Sequence, residues 1–169
     1  MFKQPDKTAK TYTPAEAIPK IAAYCAYQER THKEVADKLA SYGLDEDEAG
    51  EIIIRLGREK LLDEERYAQA YARGKHRNNG WGRRRIRLEL KAKGLSEFCI
   101  KSGLKELEGD EYYEKMQQLL GQRDAREKET HPMKRRLKLT AYLTQKGYES
   151  DLIREAVNEL TNGPQPDED

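Results

Sequence analysis

The chain has 169 residues, of which 36% are hydrophobic and 37% charged, with a mean hydropathy of -1.05; one thick core is poorly supplied, and thin modules set in a row suit the composition better. Lys and Arg (32) nearly balance Asp and Glu (31), which excludes a uniformly basic or acidic protein, and no stretch approaches the roughly 18 apolar residues of a membrane span. The start Met1-Phe2-Lys3-Gln4-Pro5 lacks the apolar region of a signal peptide, so a cytoplasmic location is expected.

Residues 1–12 are polar and read as a flexible segment. Thr13-Pro14-Ala15-Glu16 is a capping box with proline at the first helical position. Pro19 comes too late for that place and predicts either a kink or a helix starting near Ile18. Thr31-His32-Lys33-Glu34 caps a second helix, with Val35 and Leu39 on one face and Gly43 after its end, and Asp45-x-x-Glu48 caps a third. Residues 13–62 therefore read as one unit of three short helices.

That unit returns twice. Leu39-Ala40-Ser41-Tyr42-Gly43-Leu44 is matched by Leu90 to Leu95 and by Leu143 to Tyr148, with glycines 51 and 53 residues apart. Around them a ladder keeps register: Val35, Ile86, Leu139; then Ala49, Ile100, Ile153; then Ile53, Leu104, Val157; then Leu56, Leu107, Leu160. The chain reads as an all-α, elongated array of three tandem three-helix repeats. The second repeat, residues 63–109, is expected to hold helices over 63–76, 83–93 and 97–107. The third, residues 110–161, holds them over 110–128, 133–146 and 150–161, with Glu129-Thr130-His131-Pro132 as the expected hinge. Residues 162–169 form an acidic, proline-containing tail that should fray. Gly43, Gly94 and Gly147 are predicted to end each second helix at positive φ. Tyr24, Tyr27, Tyr67, Tyr71, Tyr112 and Tyr113 supply packing area in the first helices.

Charge is segregated along this array. Arg73, Lys75, Arg77, Arg83, Arg84, Arg85, Arg87, Lys91 and Lys93 face a single acid, Glu89, between positions 73 and 93; Lys134, Arg135, Arg136, Lys138 and Lys146 follow without an acid. The acids gather in 45–48, 63–65 and 106–114. Positive stripes of this kind suit an anionic partner. The densest constellation is Gly80-Trp81-Gly82-Arg83-Arg84-Arg85-Ile86-Arg87-Leu88-Glu89-Leu90: the glycines free the entry loop, Ile86 and Leu90 anchor one face, and Arg84, Arg87 and Lys91 share another. Arginine dominates, as suits forked bonding to phosphate or carboxylate. Trp81 could stack on a base or simply cap the helix packing. The candidate binding residues are thus Arg73, Lys75, Arg77, Trp81, Arg83, Arg84, Arg85, Arg87, Lys91, Lys93, Lys134, Arg135, Arg136 and Lys138.

Signatures of catalysis are missing: there is no phosphate-binding glycine loop and no His-Glu-x-x-His. His32, His76 and His131 fall on separate elements and read as surface residues. Cys25 and Cys99 sit at apolar helix positions without a Cys-x-x-Cys and read as buried thiols. No enzyme activity, cofactor or metal is expected.

Leu61-Leu62-Asp63-Glu64-Glu65-Arg66-Tyr67-Ala68 resembles the leucine, acidic pair, arginine, aromatic signature of the RecX regulatory proteins. Arg85-Ile86-Arg87-x-Glu89-Leu90-x-x-Lys93-Gly94 resembles their central Arg-Ile-Arg motif, and Thr31-x-x-Glu34-Val35-x-x-Lys38-Leu39 is similar to their first repeat. One departure is Arg83, where many members carry proline. The resemblance covers roughly 22–160 and implies a curved helical protein that modulates the RecA recombinase. It implies binding in the helical groove of the RecA filament on single-stranded DNA, with ATP hydrolysis and strand exchange restrained. Weak binding to single-stranded and double-stranded DNA, a monomeric state and a part in recombination, repair and the SOS response belong to the same expectation. A stand-alone nucleic-acid binder built of helix-turn-helix-like units is the alternative.

Overall fold

The computed structural model describes residues 11–162; the expectations for residues 1–10 and 163–169 fall outside them. Among the described residues there are nine helices and no strand: α1 (Pro14–Tyr27), α2 (His32–Ser41), α3 (Glu46–Arg58), α4 (Glu64–Asn79), α5 (Arg83–Ala92), α6 (Glu97–Lys105), α7 (Asp110–Arg126), α8 (Pro132–Lys146) and α9 (Ser150–Asn162). Three successive helices make each unit. No helix among the described residues is long and apolar enough to cross a membrane.

Local chemistry sets the helix ends. Thr13, Thr31 and Asp45 each accept from the backbone N–H three residues on, and Glu16, Glu34 and Glu48 return the bond, completing three capping boxes. α1 begins at Pro14 and runs through Pro19 rather than starting near Ile18. Tyr12, placed by sequence in the loose segment, is instead tied to the first unit: its N–H donates to the Tyr42 carbonyl at 2.8 Å and its ring meets Tyr42 edge-on at 5.3 Å.

The three glycines take φ of +88° (Gly43), +82° (Gly94) and +97° (Gly147). The residue after each donates back to the leucine four positions before the glycine: Leu44 to Leu39, Leu95 to Leu90 and Tyr148 to Leu143, at 3.2–3.3 Å. That returning residue is buried in every unit, so one turn both satisfies a helix-end carbonyl and adds an apolar contact.

The ladder forms the core. Val35, Ile86, Leu139, Leu39, Leu90 and Leu143 are fully buried, each aliphatic contributing about 1.5–3 kcal/mol by leaving water. Three expected positions differ. Ile53 and Leu104 are only half-buried, because Ile52 and Gly103 hold the inward place. Leu160 is 41% exposed; among the described residues no element follows α9 to cover it. Tyr27, at the last position of α1, points outward at 83% exposure and adds little packing. Cys25 is buried and Cys99 half-buried, both free thiols.

The units do not join alike. The first has its own core, whereas the second and third share one continuous cluster. Polar contacts carry the first joint: Arg66 Nε meets Glu29 at 2.5 Å, an Arg66 Nη donates to the Lys60 carbonyl at 3.1 Å, and the His32 N–H donates to Glu64 at 3.1 Å. Within the second unit, α6 lies so close on α4 that a Cβ at Gly103 would be 2.8 Å from the Ala68 carbonyl oxygen. The link before α8, expected as a hinge, is stapled by Arg135. This side chain donates to the carbonyls of Asp124, Glu127 and Glu129 at 2.7–3.1 Å and pairs with the Asp124 carboxylate at 2.6 Å.

Candidate functional site

The glycine-bounded loop that opens α5 is clamped onto the third unit. Gly82 N–H donates to the Lys146 carbonyl at 2.8 Å and Arg84 N–H to the Gly147 carbonyl at 2.9 Å. A Cβ at Gly82 would lie 2.4 Å from that Gly147 oxygen, so only glycine permits the approach. Arg83 turns inward. Its guanidinium lies 4.1 Å over the Tyr112 ring and pairs with Glu149 at 2.7 Å, while its N–H donates to the Tyr112 hydroxyl, which donates in turn to Glu149. The Arg83 pair and the two backbone bonds fix this loop.

His76, expected at the surface, belongs to the same junction. Its ring stacks on Tyr112 at 5.2 Å and Nδ1 lies 2.9 Å from the Trp81 carbonyl. A carbonyl only accepts, so Nδ1 carries the hydrogen. Tyr148 donates its buried hydroxyl to the Gly80 carbonyl at 3.0 Å. Burial above all raises the acidities' pKa values of Tyr112 and Tyr148 well beyond the ordinary phenol range, which keeps both hydroxyls protonated as donors.

α5 turns about 100° per residue, and its charges divide accordingly. Ile86 and Leu90 point into the core. Arg84, Leu88 and Lys91 are exposed on the outward side, and half-buried Arg87 shares the face of Arg84 and Lys91 at its edge toward α6. Arg84 reaches the Ser150 hydroxyl at 3.4 Å, and Arg87 pairs with Glu97, whose carboxyl it holds below the ordinary value by hydrogen bonding and charge. Arg85 and Lys93 occupy the flank toward α4. Arg85 lies 4.0 Å over Trp81 and Lys93 5.5 Å from the centre of Tyr71; Lys75 of α4 serves both rings, at 4.9 Å from Trp81 and 5.5 Å from Tyr71.

Lys75, Trp81, Arg85 and Lys93 are thus brought together, as are Arg84, Arg87 and Lys91. The remaining candidates are scattered. Arg73 pairs with Glu106 at 3.0 Å and Arg77 is exposed on α4. On α8, Lys134 is exposed and Arg135 is the staple of the preceding link. Arg136 is bound to Asn158 and Thr161 of α9, and Lys138 lies 3.4 Å from Glu127. Sequence reading missed a cleft of about 550 Å³ between α7 and α8, lined by Arg123, Arg126, Lys128, Lys138 and Tyr142. Its cations are interleaved with Asp124, Glu127 and Glu129 in sequence, which hid them; Asp124 is turned to Arg135 and Glu127 to Arg123 and Lys138. Among the described residues no group of three or more His, Cys, Asp or Glu is arranged to hold a metal.

Three family models match the chain in tandem: the first three-helix domain of RecX over residues 21–56, the second over 63–104 and the third over 110–157. The chain belongs to the RecX family. Its similarity to the regulatory protein RecX of Oceanobacillus iheyensis is 29% identity over 161 residues, 95% of this chain, which spans 57% of that relative's length. It is 34% identical over 140 residues to RecX of Clostridium perfringens, covering 79% of this chain and 63% of that one. The crystal structure of RecX from Lactobacillus salivarius superposes with a TM-score of 0.79 at 28% identity, over 87% of this chain and 96% of that one. A second regulatory protein RecX structure gives 0.75 at 26%, over 89% and 73%. The relatives are named as regulatory proteins, and the nine helices here repeat the RecX arrangement of three three-helix domains.

Proposed function

We propose that this protein is a non-enzymatic, monomeric regulator of the RecA recombinase that works in the cytoplasm. It binds the RecA filament on DNA and restrains ATP hydrolysis and strand exchange. The observation that supports this reading most directly is the outward face of Arg84, Arg87 and Lys91, mounted on two units that share a core. A rigid body presenting charge from a fixed helix keeps its geometry as it lands, and forked arginines suit carboxylates on a protein groove as well as phosphate.

DNA-dependent ATP hydrolysis by the cognate recombinase, titrated with this protein, tests the proposal. Suppression well below one regulator per recombinase subunit is the expected result; no effect at saturation would overturn it. A stand-alone nucleic-acid binder would instead suppress any enzyme working on the same DNA to an equal degree. The variant R84E/R87E/K91E should keep the helical circular dichroism of the parent and lose suppression, because each reversal removes an attraction and adds a repulsion.

A further inference from the structure

Because the three units share a register, a side chain that only the second carries is not owed to the fold. Leu88 on α5 is matched by Asp37 in the first unit and Ala141 in the third, and Phe98 on α6 by Asp47 and Asp151. All six positions are exposed, Leu88 at 67% and Phe98 at 68%. Single exposed apolar side chains are ordinary on any surface; here two sit on adjoining helix faces where the fold accepts aspartate or alanine. The outward faces of α5 and α6 meet at the Arg87–Glu97 pair, whose members immediately precede Leu88 and Phe98. Glu97, held low first by the hydrogen bond from Arg87, also feels the charges of Lys101 on α6 and Lys91 on α5.

We propose that Leu88 and Phe98 are the apolar anchors of a protein-docking surface on α5 and α6, and that its partner is an acidic polypeptide segment carrying apolar side chains of its own. The charge around the anchors argues for that occupant. Arg84 and Lys91 lie one helical turn to either side of Leu88, Lys101 lies one turn beyond Phe98, and none of the three has an ion pair among the described residues. Glu97, the acid beside Phe98, is already taken by Arg87. Apolar anchors at the centre with charges at the rim are the arrangement in which a few side chains carry most of a contact between proteins. Carboxylates of the partner meet Arg84, Lys91 and Lys101 and set its direction of approach, while Leu88 and Phe98 supply attraction that salt does not screen. A nucleic-acid strand fits this face worse. Leu88 interrupts the cationic stripe at its middle, where a lysine or arginine would serve a phosphate backbone, and an aliphatic side chain offers a base no ring to stack on. A second copy of the chain fits no better, since a two-fold contact would set the same cations against each other.

The assignment deepens the proposed function and rests on it in taking the recombinase as the protein that carries the acidic segment. The labelled full chain is titrated, by anisotropy, with the cognate recombinase filament and separately with bare oligothymidine, each over a salt series. L88S/F98S should keep the parent's melting curve, because the other units hold aspartate or alanine at these places, and should weaken filament binding by about tenfold or more. That factor should stay constant as salt rises, whereas the loss in K91E/K101E should shrink. L88M/F98L keeps the anchors apolar and should bind the filament close to the parent's strength, and L88S/F98S should bind oligothymidine as the parent does. Parental filament binding by L88S/F98S with a native melting curve would overturn the anchors and leave the proposed function standing. An equal loss on oligothymidine would mean that a strand covers the face, and the proposal falls. It falls also if the loss in L88S/F98S vanishes at high salt, since charge alone would then hold the partner. A parent that neither binds the filament nor suppresses its ATP hydrolysis would sink the proposed function and this assignment with it.

Discussion

Gly94 and Gly147 occupy equivalent turns and have unequal reasons to be glycine. Both hold positive φ, but a Cβ at Gly94 would meet nothing within 4 Å, whereas at Gly147 it would fall 2.3 Å from Cβ of Arg85. Gly94→Val should therefore cost about 1 kcal/mol or somewhat more, from backbone strain alone. Gly147→Ala carries the same kind of strain and also pushes the third unit off α5, so its urea midpoint should fall further even though alanine is the smaller side chain. A Gly147→Ala midpoint no lower than that of Gly94→Ala would contradict the close approach. The glycines and their φ were readable from the threefold phrase, because a repeated helix end leaves few other reasons for glycine. The roles of Arg83 and Arg135 were not. A sequence records that a residue is charged but not which way it turns, and both sit inside basic runs while reaching acids outside them, Glu149 in the next unit and Asp124 in the preceding helix.

Helix ends supply the acid sensitivity. Glu127, just past α7, is held below its ordinary pKa first by accepting from the Glu129 N–H and then by the charges of Lys138 and Arg123. Because the folded value is the lower one, the stabilisation is complete above the ordinary carboxylate range and fades as pH falls through the depressed value. Glu97 at the start of α6 behaves in the same sense through Arg87. The melting temperature should accordingly decline in acid. Glu127→Gln should lie below the parent near pH 7 and approach it near pH 3; curves that stay parallel throughout would remove Glu127 as a contributor. The caps that start α1, α2 and α3 were evident from four-residue patterns, since a capping box is a local object. The α7–α8 cleft was not, since it depends on which acids each cation meets after folding.

Sequence made the three units look equivalent, and the register of their ladders is indeed shared. What the ladder does not contain is the choice of neighbour. Tyr112, Tyr148 and His76 merge the second and third cores, while Glu29, Glu64 and Arg66 leave the first joined through polar groups. Two cooperative bodies should therefore melt separately. In calorimetry, Leu39→Ala should lower only one transition and Leu90→Ala only the other, each by the about 2–5 kcal/mol of a buried leucine truncation; a single transition moved equally by both would refute the division. Two bodies on one chain also bear on how long a complex lasts. Once the larger body has landed, the smaller is confined close to its own contact at a high effective concentration, so it re-engages faster than the whole can escape. Arg66→Ala, which loosens that confinement, should shorten the residence time on a recombinase filament without slowing arrival.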